Sequence, residues 1–109
     1  MSYPKDMQDI QDEIYEWQSE TFPNATLDSI LEHMTRELAE LKGAIKEGQP
    51  IDDIASEIAD VQLLLFHLAS KLALNIESQT MHKFITNKSR KWGKADAQGV
   101  VEHIEEEQK

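Results

Sequence analysis

Apolar residues recur at helical spacing along most of this chain, and little interrupts the pattern. The 109 residues include only four glycines and three prolines, and no segment shows the apolar–polar alternation of a strand. The spacing predicts helices over about residues 5–20, 27–47, 52–74 and 78–91. The fold class is therefore predicted to be all-α, with a four-helix-bundle-like arrangement.

The first and third predicted helices differ in how much apolar surface they carry. The first has a single stripe, on which a tryptophan is ordinarily a core residue. This stripe consists of Met7, Ile10, Ile14 and Trp17. The third helix has apolar residues around much of its circumference, which is typical of a helix buried on more than one side. In a chain of this length a second subunit can cover the additional face, so we expect an oligomer.

The charge of the chain restricts its partners. Acidic residues outnumber basic ones by 21 to 11, and a surface of this sign repels the phosphate backbone of nucleic acids. The N-terminus lacks the basic and apolar regions of a signal peptide, and the longest apolar run, near residues 61–69, is too short to span a bilayer. We expect a cytoplasmic protein without membrane or nucleic-acid partners. It should form one domain over residues 1–109, with an acidic tail from about residue 95 that is a loosely held helix or a solvated end.

Two pairs of acids stand out from the other carboxylates of the chain. Glu37 and Glu40 on the second helix, and Glu57 and Asp60 on the third, have i, i+3 spacing, which puts each pair on one face. Spacing alone favours a solvated face, because other pairs in this acidic chain share it. On a helical wheel, however, Glu37 and Glu57 fall inside the apolar sectors. Acids directed at a core are rarely tolerated without a partner.

The turn at residues 48–50 should make the second and third helices antiparallel neighbours, so that the two acid pairs converge. Two carboxylates ~5 Å apart repel by ~3 kcal/mol at an effective dielectric of about 20. No group of basic residues on these faces can neutralise all four acids. The sequence therefore predicts a hard divalent cation with oxygen ligands, Mg²⁺ before Ca²⁺ if phosphate is also bound.

Positive charge is concentrated near the C-terminus. Five of the eleven basic residues lie between Lys83 and Lys94. Lys83, Asn87 and Arg90 share one polar stripe of the fourth predicted helix, where they can donate hydrogen bonds to phosphate oxygens. The alternative is that the cations complement the helix C-terminus, which accounts for Arg90 but not for Lys83 or Asn87.

These motifs resemble those of the MazG-like all-α nucleoside triphosphate pyrophosphohydrolases. RELAEL at 36–41 and EIADVQLLL at 57–65 match the family's E-x-x-E and E-x-x-D pattern, and KFITNKSRKWG at 83–93 is similar to its closing helix. Trp17 through TFPNAT to HMTREL, with GVVEHI at 99–104, resembles the dATP/dGTP diphosphohydrolase-like branch. The chain departs from many relatives in having Arg36-Glu37, and from some in having Ser56-Glu57, in place of a doubled acid.

The resemblance implies a homodimer or homotetramer that cleaves a nucleoside triphosphate to its monophosphate and pyrophosphate. Mg²⁺ would be the cofactor, with Mn²⁺ as a substitute. The implied metal ligands, which are also the catalytic residues, are Glu37, Glu40, Glu57 and Asp60. The implied substrate-binding residues are Lys83, Asn87, Arg90, Trp17 and His33.

Several alternatives remain open from the sequence. Trp17 either stacks on a base, with Gln18 reading the edge of that base, or packs in the core. His33, and equally His67, is either a pocket group or a packing residue. The same scaffold can act on dUTP or phosphoribosyl-ATP. A noncatalytic helical module, in which the acids hold a structural ion, belongs to a different functional class.

Overall fold

Four helices account for most of the chain in the computed structural model, which describes residues 6–105. They are α1 (Met7–Thr21), α2 (Leu27–Lys46), α3 (Ile51–Lys71) and α4 (Ile76–Ser89). The all-α prediction is confirmed, with helix ends shifted by a few residues. Residue 5 of the first predicted helix and residues 106–109 of the predicted tail lie outside the described residues. No helix within residues 6–105 is long and apolar enough to cross a membrane.

Short polar signals fix where α2 begins and ends. Thr26 and Ser29 form a reciprocal cap, in which the Ser29 N–H donates to Thr26 Oγ1 at 3.0 Å and the Thr26 N–H donates to Ser29 Oγ at 2.9 Å. The helix stops before Gly48, whose φ of +65° lies in the left-handed region that glycine adopts without strain. The short turn through Pro50 then reverses the chain, so α3 packs beside α2 as predicted.

Two buried glutamines, and not the predicted apolar stripe, join α1 to α3. Gln11 and Gln18 are 2% and 3% exposed, whereas Met7, Ile10 and Trp17 are 41%, 37% and 54% exposed. The prediction that this stripe faces the core, with Trp17 as a core residue, is therefore wrong for these three residues. The reason is that the glutamine amides find partners on the facing helix, which removes the cost of burying them.

Gln11 connects three elements of the fold. Its Nε2 donates to Ser70 Oγ at 3.0 Å and to the Leu74 carbonyl at 2.7 Å. Its Oε1 accepts from the Ile76 N–H, at the first residue of α4, at 3.0 Å. One side chain thus satisfies backbone groups at the end of α3 and at the start of α4.

Replacing Gln11 with alanine is expected to lower the free energy of unfolding by about 2–4 kcal/mol. The change leaves partly buried backbone groups of Leu74 and Ile76 without their partner and opens a void beneath α1. Urea denaturation followed by circular dichroism measures the loss. The control is the exposed Gln62→Ala on α3, which should change the stability by no more than about 0.5 kcal/mol. Equal stability of the two variants would contradict the role given to Gln11.

The described chain separates into two compact units at the boundary between Ile76 and Glu77. In the first unit, large apolar side chains remain exposed at seven-residue spacing on both α2 and α3. We call these rows the heptad stripes: Leu31, Leu38 and Ile45 on α2, Ile51, Ile58 and Leu65 on α3, and Leu72 directly after α3, each at least 36% exposed. The buried apolar residues form a smaller set: Ile30, Ala44, Leu64, Phe66 and Ala69. Helix α3 therefore carries more apolar surface than this unit buries, as its sequence predicts.

The second unit contains the rest of α4 and a short hairpin. Strand β1 (Lys91–Trp92) pairs antiparallel with β2 (His103–Ile104). Trp92 Nε1 donates to the Asn87 carbonyl at 2.9 Å, so the indole lies against the end of α4.

This pairing excludes the helical alternative for the tail from about residue 95, whose described residues, 95–105, are all exposed. The loop between the strands is closed by Asp96, whose Oδ1 accepts from the N–H groups of Gln98 and Val100, both at 2.9 Å. Gly99, with φ of +82°, allows the reversal. Strands of two residues are too short for an alternating pattern to be visible in the sequence.

Candidate functional site

Three of the four predicted acids meet between α2 and α3. Carboxylate oxygens of Glu37, Glu40 and Glu57 lie within 4.8 Å of one another. The antiparallel packing of α2 and α3 is what brings them together, because each helix presents its acids to the other. Asp60 lies outside this cluster, one turn further along α3, and lines an adjoining cavity together with Glu37.

Two oxygens of this carboxylate cluster are buried without compensation. Glu37 Oε2 and Glu57 Oε2 have no hydrogen-bond partner among residues 6–105. The other oxygen of Glu37 lies 3.2 Å from His33 Nε2. Buried carboxylate oxygens without partners are unfavourable, and the three carboxylates of the cluster, at this separation, also repel one another. The cluster therefore fits a divalent cation, since all of its donors are oxygens.

Glu57 is the acid of the cluster whose ionisation is most clearly disfavoured by its surroundings. Burial raises its pKa above the usual range. Contact with the Glu37 carboxyl group and the negative charges of Glu40, Glu37 and Asp60 raise the pKa further. In the absence of a cation, the proton on Glu57 thus stabilises the folded state.

The metal-free protein is expected to lose stability as the pH rises through the raised pKa of Glu57. The native state keeps this proton to a higher pH than the unfolded chain does. The stabilisation is therefore complete below the unfolded pKa and is lost above the native one. Denaturation midpoints in EDTA, measured between about pH 4 and pH 7, test this. Glu57→Gln should remove most of this dependence of the denaturation midpoint on pH, and Mg²⁺ should restore the stability of the wild type at neutral pH. Parallel profiles for variant and wild type would contradict the assignment.

A cavity of about 570 Å³ adjoins the carboxylate cluster within the first unit. Its acidic end carries Glu37 and Asp60, and its aromatic end carries Trp17, Phe22 and His67. The Trp17 and Phe22 rings meet edge to face with centroids 5.4 Å apart, and Phe22 lies 6.3 Å from the His67 ring. Such a cavity suits a ligand that joins a metal-bound anion to a planar ring.

Two polar side chains in the cavity wall are almost fully buried. Gln18 and His67 are each 3% exposed. Gln18 Oε1 and His67 Nε2 have no hydrogen-bond partner within the described part of the chain. Burial and the nearby charge of Lys71 lower the pKa of His67, which favours the neutral ring.

The residues of the first unit that were predicted as pocket residues all line the cavity. Trp17 and His33 both line the cavity, and His67 does so as well. Phe22 and the loop that follows α1 also form part of the wall, which the sequence analysis missed. The signal present in the sequence is the TFPNAT segment at 21–26.

The predicted phosphate-binding residues lie in the second unit. Lys83 and Asn87 are one turn apart on α4. Arg90 follows the end of α4, which stops at Ser89, two residues before the predicted end near residue 91. Its N–H donates to the Asn87 carbonyl at 3.3 Å. Asn87 Oδ1 is buried and unpartnered within residues 6–105, so it remains available as an acceptor.

Comparison with known proteins gives a family and a fold for this arrangement. A family model described as dATP/dGTP pyrophosphohydrolase matches residues 10–109. A dATP/dGTP diphosphohydrolase of Salmonella phage PMBT28 is 31% identical over 96 residues, covering 88% of this chain but only 31% of that protein. One from Cyanophage S-2L is 27% identical over 101 residues, covering 93% of this chain and 90% of the relative.

A solved structure of similar fold comes from the same cyanophage. It is a MazG-like pyrophosphohydrolase bound to dGDP and three catalytic Mn²⁺ ions per active site. The TM-score is 0.76 at 24% sequence identity, covering 94% of this chain and 100% of that one. This likeness extends over nearly the whole of both chains.

Proposed function

Since the chain belongs to the dATP/dGTP pyrophosphohydrolase family, we propose that it hydrolyses a purine deoxynucleoside triphosphate to the monophosphate and pyrophosphate. The observation that carries this proposal is the convergence of Glu37, Glu40 and Glu57 beside a cavity with an aromatic end. The acidic end suits metal-bound phosphates, and the aromatic end suits a base. The names of the two phage relatives support the purine preference.

Glu37, Glu40 and Glu57 would hold Mg²⁺, and Asp60 would extend the ligand set from the cavity side. The all-oxygen donors and the two unpartnered buried oxygens fit this assignment. When bound, the metal neutralises phosphate oxygens and lowers the pKa of a water that it binds. The Mn²⁺ ions of the cyanophage structure support a divalent metal and the use of Mn²⁺ as a substitute.

The remaining roles belong to side chains of this chain. His33 orients Glu37 through the 3.2 Å contact between His33 Nε2 and Glu37 Oε1. A carboxylate of the cluster accepts the proton of the attacking water, and Trp17 stacks on the base. In the second unit, Lys83, Asn87 and Arg90 bind phosphate oxygens. The family match extends over both units, which supports one functional domain.

The heptad stripes support assembly with a second copy of the chain. Seven large apolar residues on or directly after two adjacent helices repeat at the spacing that packs helices into four-helix and coiled-coil interfaces. A two-fold axis would bring the same stripes of both copies together, which makes the surface complementary to itself. We therefore include a homodimer in the proposal, and a homotetramer would be a pair of such dimers.

Product analysis with all common NTPs and dNTPs, in Mg²⁺ and in EDTA, tests the proposed activity. The expected result is metal-dependent release of pyrophosphate and the monophosphate, fastest with dATP or dGTP. Orthophosphate with a diphosphate would instead mean attack at the γ-phosphorus. Preference for dUTP or phosphoribosyl-ATP would overturn the substrate, and no release from any nucleotide would favour the noncatalytic module.

A further inference from the structure

Gln18 is a buried glutamine that uses only half of its amide. Its Nε2 donates to the Leu63 carbonyl, in the middle of α3, at 2.9 Å. Because a carbonyl can only accept, this bond fixes which end of the amide faces α3. The other end, Oε1, is buried and has no partner within residues 6–105. Gln18 therefore presents a fixed acceptor, and it cannot reverse its amide without losing the bond to Leu63.

Gln11 shows that a buried glutamine on α1 can bond through both ends of its amide, whereas Gln8 Oε1, outside the cavity, is unpartnered within residues 6–105 like Gln18 Oε1. Gln11 lies one heptad earlier on the same buried face of α1, and both ends of its amide are bonded. Gln18 lines the cavity, and Gln11 does not. Unpartnered buried polar atoms are rare in native interiors, so an orphan in a cavity wall is best explained by a ligand that completes it.

The surroundings of Gln18 restrict what that ligand can be. Trp17 and Phe22 form the same wall and offer ring faces and edges to a planar guest. His67 is the other residue at the aromatic end with a buried atom that is unpartnered in the described part of the chain, and its lowered pKa favours the neutral ring. The aromatic end therefore does not require a charged ligand. A ligand at the aromatic end therefore needs an N–H donor on an otherwise neutral heterocycle.

We propose that Gln18 Oε1 accepts a hydrogen bond from an exocyclic amino group of a purine base and so selects amino purines. The inference rests on the proposed function and names the group on the substrate that the cavity reads. Adenine and guanine each carry such an amino group, at different positions, and cytosine carries one on a smaller ring, whereas thymine and uracil have none. A base without the donor leaves the acceptor buried and unpaired, so its complex lacks this hydrogen bond and is less stable.

The test compares substrates that differ by one amino group. The pairs are dATP with the deoxyribonucleoside triphosphate of unsubstituted purine, and dGTP with dITP. For wild type, kcat/KM should fall by about 10- to 100-fold in the pair whose amino group reaches Oε1. Gln18→Met, which keeps the length of the side chain but has no acceptor of this kind, should reduce that ratio to within about threefold. The control Gln62→Met, at an exposed position of α3 outside the cavity, should leave the ratio of the wild type.

A second readout uses the wild type alone, in case Gln18→Met does not fold. The Gln18 side-chain carbonyl carbon, observed by NMR, should shift on binding of the purine monophosphate that carries the amino group and should not shift with its amino-free analogue. Equal kcat/KM within both pairs, or a ratio that persists in Gln18→Met, would overturn the role of Gln18 and leave the proposed activity intact. Absence of pyrophosphate release from every triphosphate would instead remove the proposed function itself.

Discussion

Glu57→Gln is expected to lower kcat by about 1000-fold or more while the helices stay in place. The substitution keeps the shape of the side chain but removes one negative charge from the carboxylate cluster, where Glu57 lies within 4.8 Å of the other two acids. Since the cluster is proposed to bind a divalent cation that neutralises the phosphates, the loss falls on the chemical step. Pyrophosphate release at saturating Mg²⁺ and substrate measures it, and far-ultraviolet circular dichroism checks the helical content.

The matched control is Glu32→Gln on α2. Glu32 is exposed and pairs with Arg36 through a contact of 3.1 Å on the surface, so this variant should keep its activity within about twofold. The two variants have the same change of charge and of chemistry. Near-normal turnover in Glu57→Gln would mean that the metal assignment is wrong, whatever the behaviour of the control.

The second large effect is expected from Leu65→Glu, which should convert the assembled protein to monomers. Leu65 lies in the heptad stripe of α3 and is 36% exposed. In the proposed dimer its side chain is covered by the second copy, so the variant buries an unpaired carboxylate from each subunit. A cost of about 3–5 kcal/mol for each buried charge raises the dissociation constant by more than 100-fold. Light scattering after size-exclusion chromatography at micromolar concentration measures the mass.

Gln49→Glu adds the same charge outside the stripes, in the turn between α2 and α3, and serves as the control. It should keep the mass of the wild type. If Leu65→Glu and the wild type have the same mass, the heptad stripes are not the interface between copies. A wild type that is monomeric at all concentrations would exclude the dimer itself.

The helices and the acids were predictable because both depend on local spacing. Apolar periodicity located four helices, and the wheel position of Glu37 and Glu57 predicted that they turn inward. The predicted relation to the dATP/dGTP diphosphohydrolase-like branch is confirmed by the family match over residues 10–109. Asp60 shows the limit of the method, because i, i+3 spacing puts it on the face of Glu57 but cannot tell a cluster member from a cavity wall residue.

The face of α1 could not be predicted from the sequence. Periodicity counts glutamine as polar and assigns it to solvent, yet Gln11 and Gln18 are buried because acceptors on another segment meet them. Their partners lie at least 45 residues away along the chain, so no local window contains both members of a pair. The same limit applies to the aromatic end of the cavity, which joins Trp17 to His67 only after the helices have packed.

The hydrogen bonds of Gln11 also determine how precisely the aromatic end is built. They hold α1 against sliding or turning about its own axis, since either movement would break all three bonds at once. Trp17 and Gln18 are rigidly coupled to this anchor through about 10 Å of the same helix. The position of the aromatic end is thereby set partly from a point outside the cavity, so Trp17 can be exchanged for another residue without breaking the three bonds that hold α1.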